Sequence, residues 1–181
     1  MRSILSTLFV LALVFIASGC QPQPSALTDV QKAAITDSAK AVVQEVLNGI
    51  QNLNGTGVFA RISSDPDARF LENGFLYASY GAFKDSLTGD LPTLDSLSIQ
   101  PVASDVVVLG AEAAVVTESF RFTAATKAGE DLEGQGVASI VVQLRAGRWQ
   151  IVHSHESELN MAEMDTTLAP ATAAERSSKK K

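Results

Sequence analysis

The apolar positions after residue 28 follow a helical period over residues 29–54. Most recur three or four positions apart, so they fall on one face of a helix. Thr28 suits the N-cap position, and the negative charge of Asp29 favours the positive end of the helix dipole. The buried face of this helix is expected to carry Ile35, Ala39, Val42, Val43, Val46, Ile50 and Leu53.

Two shorter helices and a strand are predicted next. The stretch "GTGVFARIS", residues 55–63, favours a short second helix, and "ARFLENG" favours a short strand followed by a turn. A third helix is expected to stop near Gly89 and Pro92, since both residues interrupt helices. Its apolar residues stand four, three and four positions apart: Leu76, Tyr80, Phe83 and Leu87.

Beyond Pro92 the pattern changes to runs of β-branched residues without a helical period. Four strands are predicted, over residues 94–109, 113–125, 132–144 and 148–158. Their connections, "GAE", "KAGED" and "RAGR", are short, and short connections join antiparallel neighbours.

The start of the chain predicts export. Arg2 precedes an apolar run over residues 8–17 that is shorter than the ~20 residues of a membrane-spanning helix. "ASGC" then resembles the bacterial lipoprotein signal, so residues 1–19 are expected to be removed and Cys20 to carry lipid. Gln21 is not the Asp of an inner-membrane retention signal, which favours the outer membrane, facing the periplasm. An ordinary secretory signal with a stray cysteine is the alternative.

These patterns divide the chain into four parts: a signal peptide (1–19), the lipidated cysteine and a tether (20–26), one folded domain (27–158) and a disordered polar tail (159–181). The three final lysines could touch anionic lipid, or simply be solvated. The chain has 14 Lys and Arg against 20 Asp and Glu, a net charge of -6. Such a surface is a poor partner for nucleic acid.

Two stretches, "DVVVLGAEAAVVTESF" (105–120) and "GRWQIVHSHES" (147–157), are the most specific parts of a family resemblance. Together with them, the order of the elements over about residues 30–158 resembles the nuclear transport factor 2-like superfamily, in its SnoaL-like branch. That superfamily includes polyketide cyclases and ketosteroid isomerases. The resemblance implies an α+β fold, in which a curved, mostly antiparallel sheet wraps three N-terminal helices into a cone. It also implies a pocket at the open end and, often, a dimer through the outer face of the sheet.

The stretch "VASIVVQL", residues 137–144, is apolar on both faces, which is typical of a strand covered on both sides. One layer of helices covers only one face, so a homodimer is predicted through the outer face. Its centre is expected at Ile140 and Val142, or at Val141 if the faces are reversed. Cover by the C-terminal tail is the alternative.

Strand alternation places the only two histidines, His153 and His155, on the same face as Ile151. That face is expected to point into the cone or to its rim. Tyrosines of the third helix are plausible walls with hydroxyls that need partners. The residues expected to line a ligand pocket are His153, His155, Tyr77, Tyr80, Glu118, Phe120 and Trp149.

Two histidines alone do not make a metal site, because a third ligand is needed, and Glu118 or Glu72 would supply it only by accident of the fold. Neither metal nor cofactor is therefore predicted. The expected function is that of a membrane-anchored lipoprotein whose pocket binds a small, largely apolar ligand or a protein partner without catalysis. The alternative is an acid-base enzyme, of isomerase, cyclase or hydratase type, that uses His153 or His155.

Overall fold

The structure, a computed structural model, describes residues 26–160, without the side chain of Asn160. The predicted signal peptide, the lipidated Cys20 and nearly all of the predicted tail lie outside the described residues. Within residues 26–160, no helix combines the length and the apolar character needed to cross a membrane.

Helix α1 spans Asp29–Gln51 and is capped as expected. The backbone N–H of Gln31 donates to the Thr28 hydroxyl at 3.2 Å, and the Thr28 N–H donates to the Gln31 side chain at 2.9 Å. This reciprocal pair satisfies N–H groups that a helix start leaves free. The predicted apolar face is buried at Ile35, Ala39, Val42, Val43 and Val46.

Helix α2, Gly55–Phe59, packs closely against the end of α1. A Cβ atom at Gly49 would lie 2.6 Å from the backbone nitrogen of Val58, which no side chain tolerates. Glycine at this position therefore permits the close approach of the two helices, and it lets Val58 be fully buried.

Helix α3, Tyr80–Asp90, begins later than the sequence predicts. Leu76 was expected inside it but belongs to strand β2, Phe75–Leu76, which pairs with β1, Arg69–Glu72. Asn73 and Gly74 connect these strands with φ values of 48° and 81°, the conformation of a tight hairpin turn. The helix starts only at Tyr80, and its N-cap is Ser79, whose hydroxyl accepts a hydrogen bond from the N–H of Ala82 at 3.1 Å.

A short 3₁₀ turn, Leu91–Thr93, leads into four long strands: β3 (Leu94–Gly110), β4 (Ala113–Thr126), β5 (Asp131–Arg145) and β6 (Arg148–Asn160). The sheet order is β2-β1-β6-β5-β4-β3, and only the β1–β6 pair is parallel. The helices lie on the concave side of this curved sheet. The predicted α+β cone is therefore confirmed.

Strand β5 carries two glycines that face aromatic rings of β4. Gly136 pairs with Phe120, and Gly134 pairs with Phe122. An added Cβ would lie 2.3 Å from the Cζ of Phe120 at the first glycine and 2.5 Å from the Cζ of Phe122 at the second. The two glycines therefore leave room for these rings against β5.

Candidate functional site

A cavity of about 310 Å³ lies between the concave face of the sheet and the helices α1 and α3. Most of its wall is apolar. Helix α1 and helix α3 contribute aliphatic and aromatic side chains from one side, and β4, β5 and β6 contribute them from the other. The principal apolar residues are Val46, Leu47, Ile50, Phe83, Leu87, Phe120, Phe122, Ile140 and Ile151.

The polar part of the wall is acidic. Five carboxylic acids line the cavity, and none of its described lining residues is Lys, Arg or His. An apolar space with several acids and no basic residue favours cationic or proton-donating ligands over anions. The acids are Glu72, Asp90, Glu118, Glu156 and Glu158.

A β-bulge at Val152 decides which residues of β6 face the cavity. Val142 pairs with Ile151, but Val141 pairs with His153, so Val152 is an extra residue in β6. Because side chains alternate along a strand, one extra residue reverses the faces beyond it. Ser154, Glu156 and Glu158 consequently line the cavity.

The two histidines therefore lie on the outer face, which corrects the predicted orientation. His153 pairs with Arg69 and Val141, and His155 pairs with Leu71 and Ser139. These partners alternate with residues that line the cavity. Neither histidine is a lining residue.

The other expected pocket residues are divided. Tyr77, Glu118 and Phe120 line the cavity. Trp149 packs against the hydrophobic core but lies outside the cavity wall, and Tyr80 packs against Phe59, with ring centroids 5.9 Å apart. Asp90, Glu156 and Glu158 are cavity acids that sequence reasoning missed. The acids in "HESE" are a visible signal, but nothing local shows that they point inward.

A hydrogen-bonded chain joins β1 to α3 at the edge of the cavity. The Tyr77 hydroxyl donates to Glu72 Oε2 at 2.9 Å and lies 3.4 Å from Ser86 Oγ, which donates to Asp90 Oδ2 at 3.3 Å. Burial is the main cause that raises the pKa of Tyr77; the hydrogen bond with Ser86 opposes it, and the hydrogen bond to Glu72 and the charges of Glu72 and Asp90 add to it. Tyr77 is thus held as a neutral donor to a carboxylate.

Glu156 and Glu158 interact with each other on β6. Burial is the main cause that raises the pKa of Glu156 to about 8, and the charge of Glu158, a hydrogen bond with it and the charge of Glu72 add to the effect. Burial also raises the pKa of Glu158. Two acids this close do not both ionise readily, so the pair retains a proton near neutral pH.

Glu118 is the most buried acid of the cavity, with 8% of its surface exposed. Burial raises its pKa, opposed by the positive charge of Lys40. Among the described residues, none donates a hydrogen bond to its carboxyl group. No side-chain oxygen or nitrogen in the described part of the chain is both sealed from solvent and without a partner. The Glu118 carboxyl oxygens therefore open into the cavity, where a ligand or water can reach them.

No group of three or more His, Cys, Asp or Glu residues in the described part of the chain is arranged to hold a metal ion. The site is thus a mostly apolar cavity with an acidic end.

This α+β cone with a lined interior is the architecture of the nuclear transport factor 2-like superfamily. The profile of the SnoaL-like domain family matches residues 39–162, more than half of the chain. The chain therefore belongs to the SnoaL-like domain family. A comparison with curated proteins gave no match.

Solved structures share the fold at low identity. A nuclear transport factor 2-like superfamily protein from Salmonella enterica serovar Typhimurium is 22% identical, with a TM-score of 0.62 over 72% of this chain and 92% of that one. A proposed ketosteroid isomerase from Shewanella frigidimarina is 23% identical, with a TM-score of 0.58 over 66% and 94%. A hexachlorocyclohexane dehydrochlorinase from Novosphingobium barchaimii is 11% identical, with a TM-score of 0.61 over 74% and 90%.

Proposed function

We propose that the chain binds a small, largely apolar ligand in the cavity beneath the sheet. The observation that carries this proposal is the cavity itself, which has about 310 Å³ of space, apolar walls and polar groups at one end. Small-molecule sites in proteins have this composition and begin at about this size. A core that served stability alone would be packed without such a void.

Binding of a neutral, apolar dye tests this proposal. Nile red added to the purified full chain should fluoresce strongly, because its emission rises in apolar surroundings. Leu87→Trp, on the α3 wall, should fill part of the cavity and weaken dye binding by about tenfold. Val30→Trp is the matched control, because Val30 is 81% exposed on α1 and lies outside the cavity wall. Equal dye binding by both variants would contradict the proposal.

Acid-base catalysis is the second candidate, and the raised pKa of Glu156 favours it. A group that titrates near neutral pH beside a ligand can accept or donate a proton. In this version the cavity carboxyls, with Tyr77, replace the histidines expected from the sequence. The isomerase and dehydrochlorinase among the similar structures support only the idea that this fold can hold such a site.

Attachment to the outer membrane through lipid on Cys20, with the domain facing the periplasm, belongs to the same proposal. It rests on the "ASGC" junction after a short apolar run. The tether over residues 20–26, with two prolines, would hold the cavity away from the bilayer.

A homodimer through the outer face of the sheet is proposed with a new centre. Ile140 and Val142 face the core, so the reversed assignment applies, and Val141 faces outward. Val107, Val115 and Val141 form one cross-strand row on β3, β4 and β5. Val137, on the same face of β5, is 52% exposed. Burying these side chains against a second copy would remove apolar surface from water.

A further inference from the structure

Three cavity acids stand in one row across four strands. Glu118 on β4 pairs with Ala138 on β5, Ala138 pairs with Glu156 on β6, and Glu156 pairs with Glu72 on β1. All four residues line the cavity. Neighbouring strands are about 4.8 Å apart, so the backbones of Glu118 and Glu156 are separated by about 10 Å.

Ala138 leaves a gap in this row. Its methyl group is the only side chain between the two carboxyl groups in the row, and it lies at the cavity wall. A group placed over Ala138 would therefore meet Glu118 on one side and Glu156 on the other. Glu118 is more than nine-tenths buried and accepts no hydrogen bond from the described residues, so its carboxyl group is available to such a group.

We infer that the space over Ala138 is a subsite for an organic cation, so that the ligand is an apolar molecule carrying a protonated amine. This inference rests on the proposed ligand-binding function and names its ligand class. An ammonium group has three donors, which suits carboxyl oxygens on two sides. The apolar remainder of the molecule would occupy the space between α1, α3 and the phenylalanines of β4.

The charges around the subsite support a cation and oppose an anion. Glu156 faces Glu158 on its own strand, Glu72 on β1, and Glu118 across β5, while Tyr77 and Asp90 lie at the edge of the cavity. The positive charge that acts on Glu118 is that of Lys40, an exposed residue outside the cavity wall. Wherever these acids are ionised, a carboxylate ligand would therefore meet like charge in an apolar space, which is unfavourable.

Three probes of equal chain length test the subsite: octylamine, octanol and octanoate, titrated into the purified full chain by calorimetry. Octylamine should bind at least about tenfold more tightly than octanol, and octanoate should bind most weakly. The affinity for octylamine should rise from about pH 6 to about pH 9, as the acids lose protons while the amine keeps its own.

Glu118→Gln and Glu156→Gln should each reduce the preference for octylamine over octanol by about tenfold. Glu133→Gln is the matched control, because Glu133 is an exposed residue of β5 outside the cavity wall. The ranking of the three probes with the unmodified chain needs no variant, so the test does not depend on how a variant folds.

The outcomes separate the two proposals. Equal binding of octylamine and octanol, or tighter binding of octanoate, would overturn the cation subsite and leave the apolar cavity as a binding site. Failure of all three probes and of Nile red would overturn both proposals.

Discussion

The ring of Phe120 on β4 lies over Gly136 on β5, and a Cβ at that glycine would stand 2.3 Å from the ring carbon Cζ. The ring of Phe120 is also part of the cavity wall. Because Gly136 has no side chain, the ring of Phe120 can lie against β5 and leave the cavity open.

Gly136→Ala is expected to push the Phe120 ring into the cavity. Overpacking of this kind costs about 1–3 kcal/mol of unfolding free energy, and the smaller space should weaken Nile red binding. Urea denaturation and dye titration measure the two effects. Gly110→Ala is the control, because nothing lies within 4 Å of an added Cβ there. Unchanged dye affinity in Gly136→Ala would show that the ring does not limit the cavity.

Glu156→Gln is expected to change how stability depends on pH. The pKa of Glu156 is raised to about 8, so the folded protein holds a proton that the unfolded chain loses near pH 4.3. The contribution of protonated Glu156 to the free energy of unfolding is complete below about pH 4 and is lost as the pH rises through about 8. Glutamine does not ionise, so the variant avoids that loss. Near pH 9 its free energy of unfolding should be higher than that of the unmodified chain by roughly 1–3 kcal/mol, a range that takes into account the partial exposure of the side chain to solvent.

Urea denaturation between about pH 6 and about pH 9 checks the sign of this effect. Glu133→Gln again serves as the control. Parallel pH profiles for Glu156→Gln and the unmodified chain would contradict the expected effect of burying this acid.

His153→Ala and His155→Ala are expected to leave ligand binding within about twofold of the unmodified chain, because both side chains lie on the outer face. If the cavity proves catalytic, turnover should survive both changes and be lost in Glu156→Gln. Dye titration and activity assays compare the three variants. A large loss of binding in either histidine variant would place a functional surface outside the cavity.

Val141→Asp, in the central row of the proposed interface, is expected to convert the proposed dimer to a monomer. A charge placed in the centre of an apolar interface stays unpaired and desolvated, which is costly. Light scattering should give twice the chain mass for the unmodified protein and the single mass for the variant. Val30→Asp, at an 81% exposed position on α1, should remain dimeric. A monomeric unmodified chain at high concentration would remove the dimer.

Cys20 is expected to be the first residue of the mature chain and to carry lipid. Acyl chains contribute about 0.8 kcal/mol per buried CH₂, so several chains hold the protein on a membrane. Mass spectrometry of the protein purified from its native membrane gives the N-terminal mass directly. A Cys20→Ser chain should appear in the soluble fraction. An unmodified Cys20 in the native protein would exclude this attachment.

The spacing of apolar residues along the chain predicts those helices and strands that bury one face. The spacing of Ile35, Ala39 and Val42 identifies α1, and the β-branched runs identify the four long strands, because burial of one face requires these periods. The start of α3 is predicted too early because Leu76 fits the helical spacing. In the structure, the Asn73–Gly74 turn places Leu76 in the second strand of a hairpin.

The acidic end of the cavity is missed for a different reason. A bulge exists only in the pairing of two strands, and Val152 looks like any other β-branched residue of β6. The parallel pairing of β1 with β6, which brings Glu72 beside Glu156, likewise joins residues far apart in sequence.

The bulge at Val152 decides which alternate residues of β6 face the cavity, and so it decides which chemical groups line it. Removing that single valine would turn the side chains of His153 and His155 towards the cavity. The side chains of Glu156 and Glu158 would then point outward. In this chain, a one-residue length difference near the start of the last strand would thus exchange an acidic lining for an imidazole lining. Aligning this chain by residue identity alone with a relative that lacks the bulge would match groups that point to opposite sides of the sheet.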